Sequence, residues 1–431
     1  MSVNPKRTSG QRLAAWFRHG GWGVADQAFS SLTNFMVGIM VARSLGPVQF
    51  GAFGIAFATY GLALGLSSSL AAQPLLVRFS ATPDHVWRPA AASATGTALS
   101  MGALVGVICL VISLVVPGAL SGAYLALGLT LPGLLLQDSW RLAFFSANRG
   151  LDAFVNDVIW AAILAPAFAF LLLRGHVTLF SMTLAWGISA NVAALAGLAQ
   201  ARLLPSPRRT LRWLREHRDL GPRFLAEAAL LSGTVQATVA SVGAVAGLPA
   251  IAGIRGAQML LGPPYVFSKG FRLTILPQAV VAARQSKYAV RRLCATQSIT
   301  MSAAMLVWGL LLLLVPEPWG RWLLGPTWEP VHRMLLPVTL TYAAGAATLG
   351  ASAGLRALAA AKRSLRSRIV ASCLQFSGGV TGAVLAGGVG AAWGQAIAGV
   401  MATYVFWRFL LGALEDQAGL TPGRVPDTVP S

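Results

Sequence analysis

The sequence predicts an all-α, polytopic membrane protein with about 12 transmembrane helices, and three observations carry the prediction. The 431 residues are 55% hydrophobic and only 11% charged, with a mean hydropathy of +0.66. Soluble domains carry roughly 25% charged residues, so this chain has too little polar surface to cover a water-facing globule. The apolar residues fall in continuous runs such as Met305 to Val315, long enough to cross a bilayer at about 20 residues per span and unlike the ten-residue alternation of a β-barrel. The basic residues sit between these runs rather than inside them.

Span ends are marked by Pro, Gly, charge or Trp, and these marks divide the chain in order. Six spans run at 21 to 43, 50 to 73, 91 to 116, 120 to 146, 153 to 173 and 178 to 200. Six more run at 224 to 247, 250 to 277, 290 to 315, 331 to 353, 368 to 387 and 389 to 411. The expected organisation is a basic interfacial N-terminus at 1–20, a first bundle at 21–200, a basic linker at 201–223, a second bundle at 224–411 and a tail at 412–431. Gly46-Pro47 and Gly387 to Gly390 separate spans by almost nothing, and Gly262-Pro263-Pro264 should kink span eight. The first apolar run has full span length and no small-residue cleavage pattern, so an uncleaved anchor is expected.

An even number of spans puts both termini on one side, and the basic residues decide which. Of the 33 Lys and Arg, 28 fall in the termini and alternate loops that share that side. Arg43, Arg174, Arg321 and Arg333 fall opposite, and Arg255 lies within span eight. The positive-inside rule therefore places both termini in the cytoplasm of a cell (inner or plasma) membrane. The net charge of +20 is then a topology signal, and with no soluble basic domain no nucleic-acid partner is expected. Cys109, Cys294 and Cys373 all lie in apolar runs, with no CxxC or Cys/His cluster, so neither a disulfide framework nor a metal site is expected.

Two basic segments read as interfacial. Arg12 to Arg18 carries Trp16 and Phe17 between arginines, which fits a head-group turn or a plain basic tail. Arg202 to Arg223 carries proline breakers and then an Arg/Leu/Trp pattern, the mark of an amphipathic helix on the inner leaflet. On the outer side only Pro316 to Pro330 has bulk, and its Trp319, Trp322 and Trp328 read as an aromatic belt, with a sugar platform as the alternative.

A weak repeat relates the halves at an offset of about 201 residues: Asp26 with Glu227, Gly46-Pro47 with Gly247-Leu248-Pro249, and Pro74 with Pro277. Ala147-Asn148-Arg149 and Ala361-Lys362-Arg363 close spans four and ten alike. The segments VARSLGPVQFGAFGIAFA, LQDSWRLAFFSANR, GIRGAQMLLGPP with ILPQ, and LLGPTWEPVHRMLLP resemble the polysaccharide-biosynthesis flippases of the multidrug/oligosaccharidyl-lipid/polysaccharide (MOP) exporter superfamily. The resemblance covers the chain from about Gly21 to Trp407. It implies two six-helix bundles around a central, often cationic cavity that opens alternately to either side. It also implies a polyprenyl-diphosphate-linked oligosaccharide as substrate, moved from inner to outer leaflet for cell-surface polysaccharide export, with polymerases or glycosyltransferases of the same pathway as partners. The twelve spans fit the O-antigen or capsule-type branch, or a teichoic-acid-like exporter, better than the typically fourteen-span lipid II flippases.

Ionisable groups within a bilayer are costly and need a partner or a wet cavity. In span eight, Arg255 and Lys269 share a helical face, with Arg272 following; a cationic stripe would grip a diphosphate, while head-group snorkelling is the alternative. In span four, Asp138 and Arg141 stand at i, i+3, either as a bare ion pair or with Arg141 on the diphosphate and Asp138 orienting it. Asp26, Glu227 and Asp138 are the candidates for coupling to H+ or Na+, although Arg223 stands four residues before Glu227 and could pair with it. Asn34, Gln27 and Gln236 could bond sugar hydroxyls or glue helices.

Three rivals frame this reading. A multidrug or cation antiporter of the same superfamily would favour an acidic or aromatic cavity. A polyprenyl-linked glycan polymerase or glycosyltransferase needs a catalytic outer loop, and here those loops are short and no DxD occurs, so no catalytic residue and no enzyme activity is expected. A purely structural partner of a biosynthetic complex is the third.

Overall fold

The computed structural model describes residues 22–80, 82–228 and 233–416; the side chains of residues 227–228, 266–274 and 276–277 lie outside that description. The N-terminal turn at Arg12 to Arg18, the tail beyond Asp416 and the side chains of Glu227, Lys269 and Arg272 therefore lie outside the described residues. Every regular element among the described residues is helical. Among the described residues, eight helices are long and apolar enough to cross a membrane, and two of them hold two spans each.

The first of these, α1 (Trp22–Ser67), bends at Gly46, whose φ of 77° and ψ of 176° no L residue adopts readily. A π-helical turn at Ser68–Ala72 joins it to α2 (Gln73–Phe79), so spans one and two form one continuous hairpin. Spans three to six are α3 (Asp84–Val115), α4 (Ala119–Ser146), α5 (Gly150–Leu173) and α6 (Leu179–Ala201). A 3-10 turn at Pro207–Arg209 and α7 (Thr210–Glu216) form the linker. Span seven is α8 (Gly221–Ala228) and α9 (Thr234–Ala246). Span eight is α10 (Leu248–Leu260) and α11 (Gly262–Gln285), broken where Gly262-Pro263-Pro264 predicts a kink. Spans nine and ten are α12 (Lys287–Leu313) and α14 (Trp328–Ala357). Between them lies a short strap of α13 (Glu317–Leu324) and a 3-10 turn at Gly325–Thr327. Spans eleven and twelve share α15 (Ala361–Asp416), bent at Ala386 and Gly387. Ten of the twelve expected spans thus fall in helices long and apolar enough to cross a membrane; span seven runs through residues 229–232, which lie outside the described residues, and span eight is broken at Leu261.

The repeat shows in the backbone. Gly247 has φ 79° and ψ 173°, matching Gly46 within 3° in each angle at an offset of 201 residues. Spans four and ten both end in a left-handed residue, Asn148 (φ 57°) and Ala359 (φ 51°). In each the following amide reaches back five residues, Arg149 to the Phe144 carbonyl and Ala360 to that of Leu355. The structural match to Asn148 is thus Ala359, two residues before the Ala361-Lys362-Arg363 that the sequence alone aligns.

The chain forms two compact units, residues 1–256 with 317–330, and residues 257–316 with 331–431. In the first, α3 and α4 touch backbone to backbone: a Cβ on Gly106 would stand 2.8 Å from the Gly128 carbonyl oxygen, and one on Gly128 2.8 Å from that of Gly106. Trp87, Trp140 and Phe144 fill the core beside them, and the Trp87 indole donates to Ser146 Oγ at 2.9 Å. In the second, α12, α14 and α15 surround Cys294, Leu355 and Leu410. Thr403 and Trp407 of α15 donate to the carbonyls of Ala344 and Ala347 on α14, at 2.9 and 3.0 Å. The outward faces are apolar, with Leu114 85% and Leu173 88% exposed, as lipid contact requires.

Candidate functional site

The densest polar site in the first unit is built by three helices that each place an acid inside an apolar bundle. Asp26 comes from α1, Gln137, Asp138 and Arg141 from α4, and Asn156 and Asp157 from α5. Arg141 stands at the centre: its Nε lies 3.4 Å from Asp26 Oδ2, and its Nη1 3.9 Å from Asp138 Oδ1. Gln137 Nε2 donates to Asp157 Oδ1 at 2.8 Å and Asn156 Oδ1 at 3.2 Å. Asn156 in turn donates to the Ala193 carbonyl and to Gln200 Oε1 of α6, at 2.8 and 2.9 Å, which fixes the amide chain. Asp26, Gln137, Asn156 and Asp157 are all buried.

Charge does not balance in this cluster. Three carboxylates face one guanidinium, an excess of two negative charges when all are ionised. Asp26 Oδ1 and Asp157 Oδ2 are buried without a hydrogen-bond partner. Such a site needs protons or a small cation to be neutral, because an uncompensated buried charge costs several kcal/mol. Among the described residues no three His, Cys, Asp or Glu side chains are placed to hold a metal ion.

An aromatic run leads away from this cluster along the second span. Phe50, Phe53, Phe57 and Tyr60 follow one another at helical spacing with ring centroids 5.9 to 6.4 Å apart. Trp186 of α6 closes edge-on against Tyr60 at 5.0 Å, and Trp160 of α5 lies 6.1 Å beyond. Tyr60 is within electrostatic reach of Asp138, Arg141 and Asp157. Within the run, the Arg255 guanidinium sits 4.4 Å over the Phe57 ring, the neighbour of Tyr60. Two glycines make that approach possible: a Cβ on Gly51 would meet the Leu248 carbonyl oxygen at 2.0 Å, and one on Gly54 would meet Ile251 at 3.0 Å. At 1.5 Å per residue, Phe57 lies about 16 Å from the bend at Gly46, whereas the Arg255 backbone lies about 12 Å from Gly247. The Arg255 head group is thus turned along the aromatic run, away from these two bends.

Of the sequence-predicted residues, Asp26, Asp138 and Arg141 meet in one cluster, and Arg255 lies at the far end of the Phe57–Tyr60 pair. Gln27 and Asn34 spend their amides on their own helix, donating to Ser31 Oγ at 3.2 Å and the Ser30 carbonyl at 2.9 Å. Gln236 Nε2 packs against Gly61. Asp157 and Asn156 escaped the sequence reading, although an adjacent Asn-Asp pair within an apolar run was the available signal. Tyr60 and Trp186 gave no signal separable from ordinary core aromatics.

No family model and no curated protein matches this sequence. The fold, however, is that of the MOP superfamily transporters. An inward-facing multidrug resistance MATE family transporter of that superfamily superposes with a TM-score of 0.65 at 13% identity, over 91% of this chain and 96% of the other. The lipid II flippase MurJ, in an inward closed conformation, also gives 0.65 at 12% identity, over 94% of this chain and 93% of its own. A MOP superfamily transporter from Pyrococcus furiosus, described as having a binding pocket of reverse polarity, gives 0.53 at 13%, over 96% and 99%. The protein is a multi-pass membrane protein with this transporter fold.

Proposed function

We propose that the protein is a flippase that moves a polyprenyl-diphosphate-linked oligosaccharide from the inner to the outer leaflet by alternating access, with both termini cytoplasmic. The observation that supports this reading is Arg255, whose guanidinium lies over the Phe57 ring within the aromatic run. Guanidinium offers a diphosphate two parallel hydrogen bonds and an opposing charge. Arg141, on the same wall beyond Tyr60, supplies a second cation. Lys269 and Arg272 extend the proposed cationic set, and Gln27, Asn34 and Gln236 its sugar contacts.

The carboxylates would supply the coupling. When Asp26 and Asp138 take up protons, Arg141 loses its two ion-pair partners and is freer to meet an anionic substrate; when they ionise, they draw Arg141 back. Glu227, at the repeat-related position, completes this proposed H+- or Na+-exchanging set. A glycan polymerase or glycosyltransferases of the same pathway are the proposed partners.

A specific observation also favours a second reading. Buried carboxylates in excess, beside Phe57, Tyr60 and Trp186, suit a lipophilic cation as a multidrug antiporter would require. Proteoliposomes decide between the two. The flippase reading expects a fluorescent polyprenyl-diphosphate glycan to become accessible to an impermeant lectin on the opposite leaflet. Ion-driven uptake of ethidium-like cations with no movement of the lipid-linked glycan would overturn it.

A further inference from the structure

The basic linker is not a free tether but a helix docked on one side and bare on the other. Its inner face is consumed by protein contacts: Trp213 is 2% and His217 4% exposed. The Trp213 indole donates to the Leu70 carbonyl at 3.0 Å, Ser206 N to the Ala92 carbonyl at 2.8 Å, and Arg78 pairs with Asp219 at 2.6 Å. A Cβ on Gly96 would meet the Ser206 backbone at 2.3 Å, so the seat accepts only glycine. Leu70 belongs to the π-helical turn of the second span, which fixes the linker to a specialised point of the bundle.

Its outer face has the opposite character. Arg208, Leu211, Arg212 and Arg215 are all exposed and, at 100° per residue, lie within an arc of about 100°. Leu211 is 67% exposed and Leu204, on the approach, 75%. Arg209 and Arg218 flank the arc. The acids of the linker are engaged, Glu216 by Arg212 at 3.5 Å and Asp219 by Arg78. Among the described residues, Arg208, Arg209, Arg215 and Arg218 make no ion pair. Folding cannot bury this face, because the helix has already spent its other side.

We propose that this outward arc is a binding surface for acidic phospholipid head groups of the adjoining leaflet, with Leu211 and Leu204 set into the acyl boundary and Arg208, Arg212 and Arg215 on the phosphates. The occupant is argued from charge and shape. A rigid row of guanidiniums around an exposed leucine matches a surface that is anionic at its head groups and apolar just beneath. Water would leave the leucines exposed, and an acidic protein segment would leave them unused. The reading assumes that the linker lies at the membrane surface, and it is independent of what the protein transports.

The test uses the full chain in nanodiscs whose two leaflets carry the same lipids, so orientation does not enter. Acidic phospholipid retained by the protein is counted by native mass spectrometry at increasing fractions of phosphatidylglycerol in phosphatidylcholine. The variant Arg208→Gln/Arg212→Gln/Arg215→Gln is compared with Arg356→Gln/Lys362→Gln/Arg366→Gln, which removes equal charge from another basic segment. The linker variant should lose affinity for phosphatidylglycerol by up to about fivefold per arginine, and the comparison variant should match the parent. Equal losses in both variants would reduce the effect to diffuse charge and overturn the proposal, as would retention unchanged in the linker variant. All six positions are on exposed or half-exposed surface, and unchanged melting in detergent verifies folding.

Discussion

Asp26 gives one carboxylate oxygen to Arg141 at 3.4 Å and leaves the other without a partner in a buried site. That asymmetry separates two roles for one residue. If it serves only to hold Arg141, Asp26→Asn costs position; if it exchanges an ion, the substitution removes the driving force while leaving the shape. Asp26→Asn is expected to abolish acceleration of glycan flipping by an imposed ion gradient in proteoliposomes. Melting should stay equal or rise, since a neutral amide is less costly to bury than a carboxylate. Acceleration equal to the parent's would remove Asp26 from coupling. Arg255 is tested by shape as well as charge. Arg255→Ala should lower flipping by roughly 10- to 150-fold, the worth of a charge-assisted contact of about 1.5–3 kcal/mol. Arg255→Lys, which keeps the charge but not the planar fork, should recover only part of it. Normal flipping by both variants at matched abundance would remove Arg255 from the substrate path. Both residues were visible in the sequence because an ionisable group in an apolar run is conspicuous. Asp157 was not singled out, because its importance depends on Gln137 and Arg141 converging on it from another helix, and that convergence is a tertiary fact.

At the scale of elements, boundaries were legible and contacts were not. Ten of the twelve expected spans fall in membrane-length helices, because span length and its Pro, Gly and charge punctuation are set by the bilayer and act locally. The π-helical turn, the seat of the linker on Gly96 and the strap at Glu317–Thr327 carry no local sequence mark. The strap shows what pattern reading misses. Read as an aromatic belt, it also donates from the buried Thr327 hydroxyl to the Ala42 carbonyl at 2.7 Å, 285 residues away. Arg43 lies 5.4 Å over Trp322 beside it, and Gly325, with φ 58°, leaves no space for a Cβ against the Arg43 carbonyl. Thr327→Val preserves volume and removes the donor, so it should destabilise the protein by about 1 kcal/mol. A hairpin offers the contrasting case. In α15, a Cβ on Gly394 would stand 1.9 Å from the Gly378 carbonyl oxygen, so Gly394→Ala should force the two spans apart at about 1–3 kcal/mol. Thermal melting in detergent measures both, and a melting curve for Gly394→Ala that overlays the parent's would show that the close approach is not made.

For the whole molecule, sidedness is what every functional statement depends on, and two independent features bear on it. Basic residues are concentrated in the termini and alternate loops, and the two halves carry glycine bends of matching φ and ψ at Gly46 and Gly247, each between successive spans. With six spans per half, both bends must lie on the same side, opposite the linker. This makes the topology testable at two points whose outcomes must be opposite. Cys109 and Cys294 are buried, so replacing only the exposed Cys373 gives a suitable background. In it, Arg209→Cys on the linker should react with an impermeant maleimide only after cells are opened. Trp319→Cys on the strap should react in intact cells, since Trp319 is 71% exposed and lies on the other side. The opposite pattern would invert the orientation, and with it the direction in which a diphosphate would first reach Arg141. Equal labelling of both positions in intact cells would mean an even number of crossings between them. The five helices from α8 to α12 that separate linker and strap would then need re-pairing, and span eight, already broken at Leu261, is the place where a crossing would be lost.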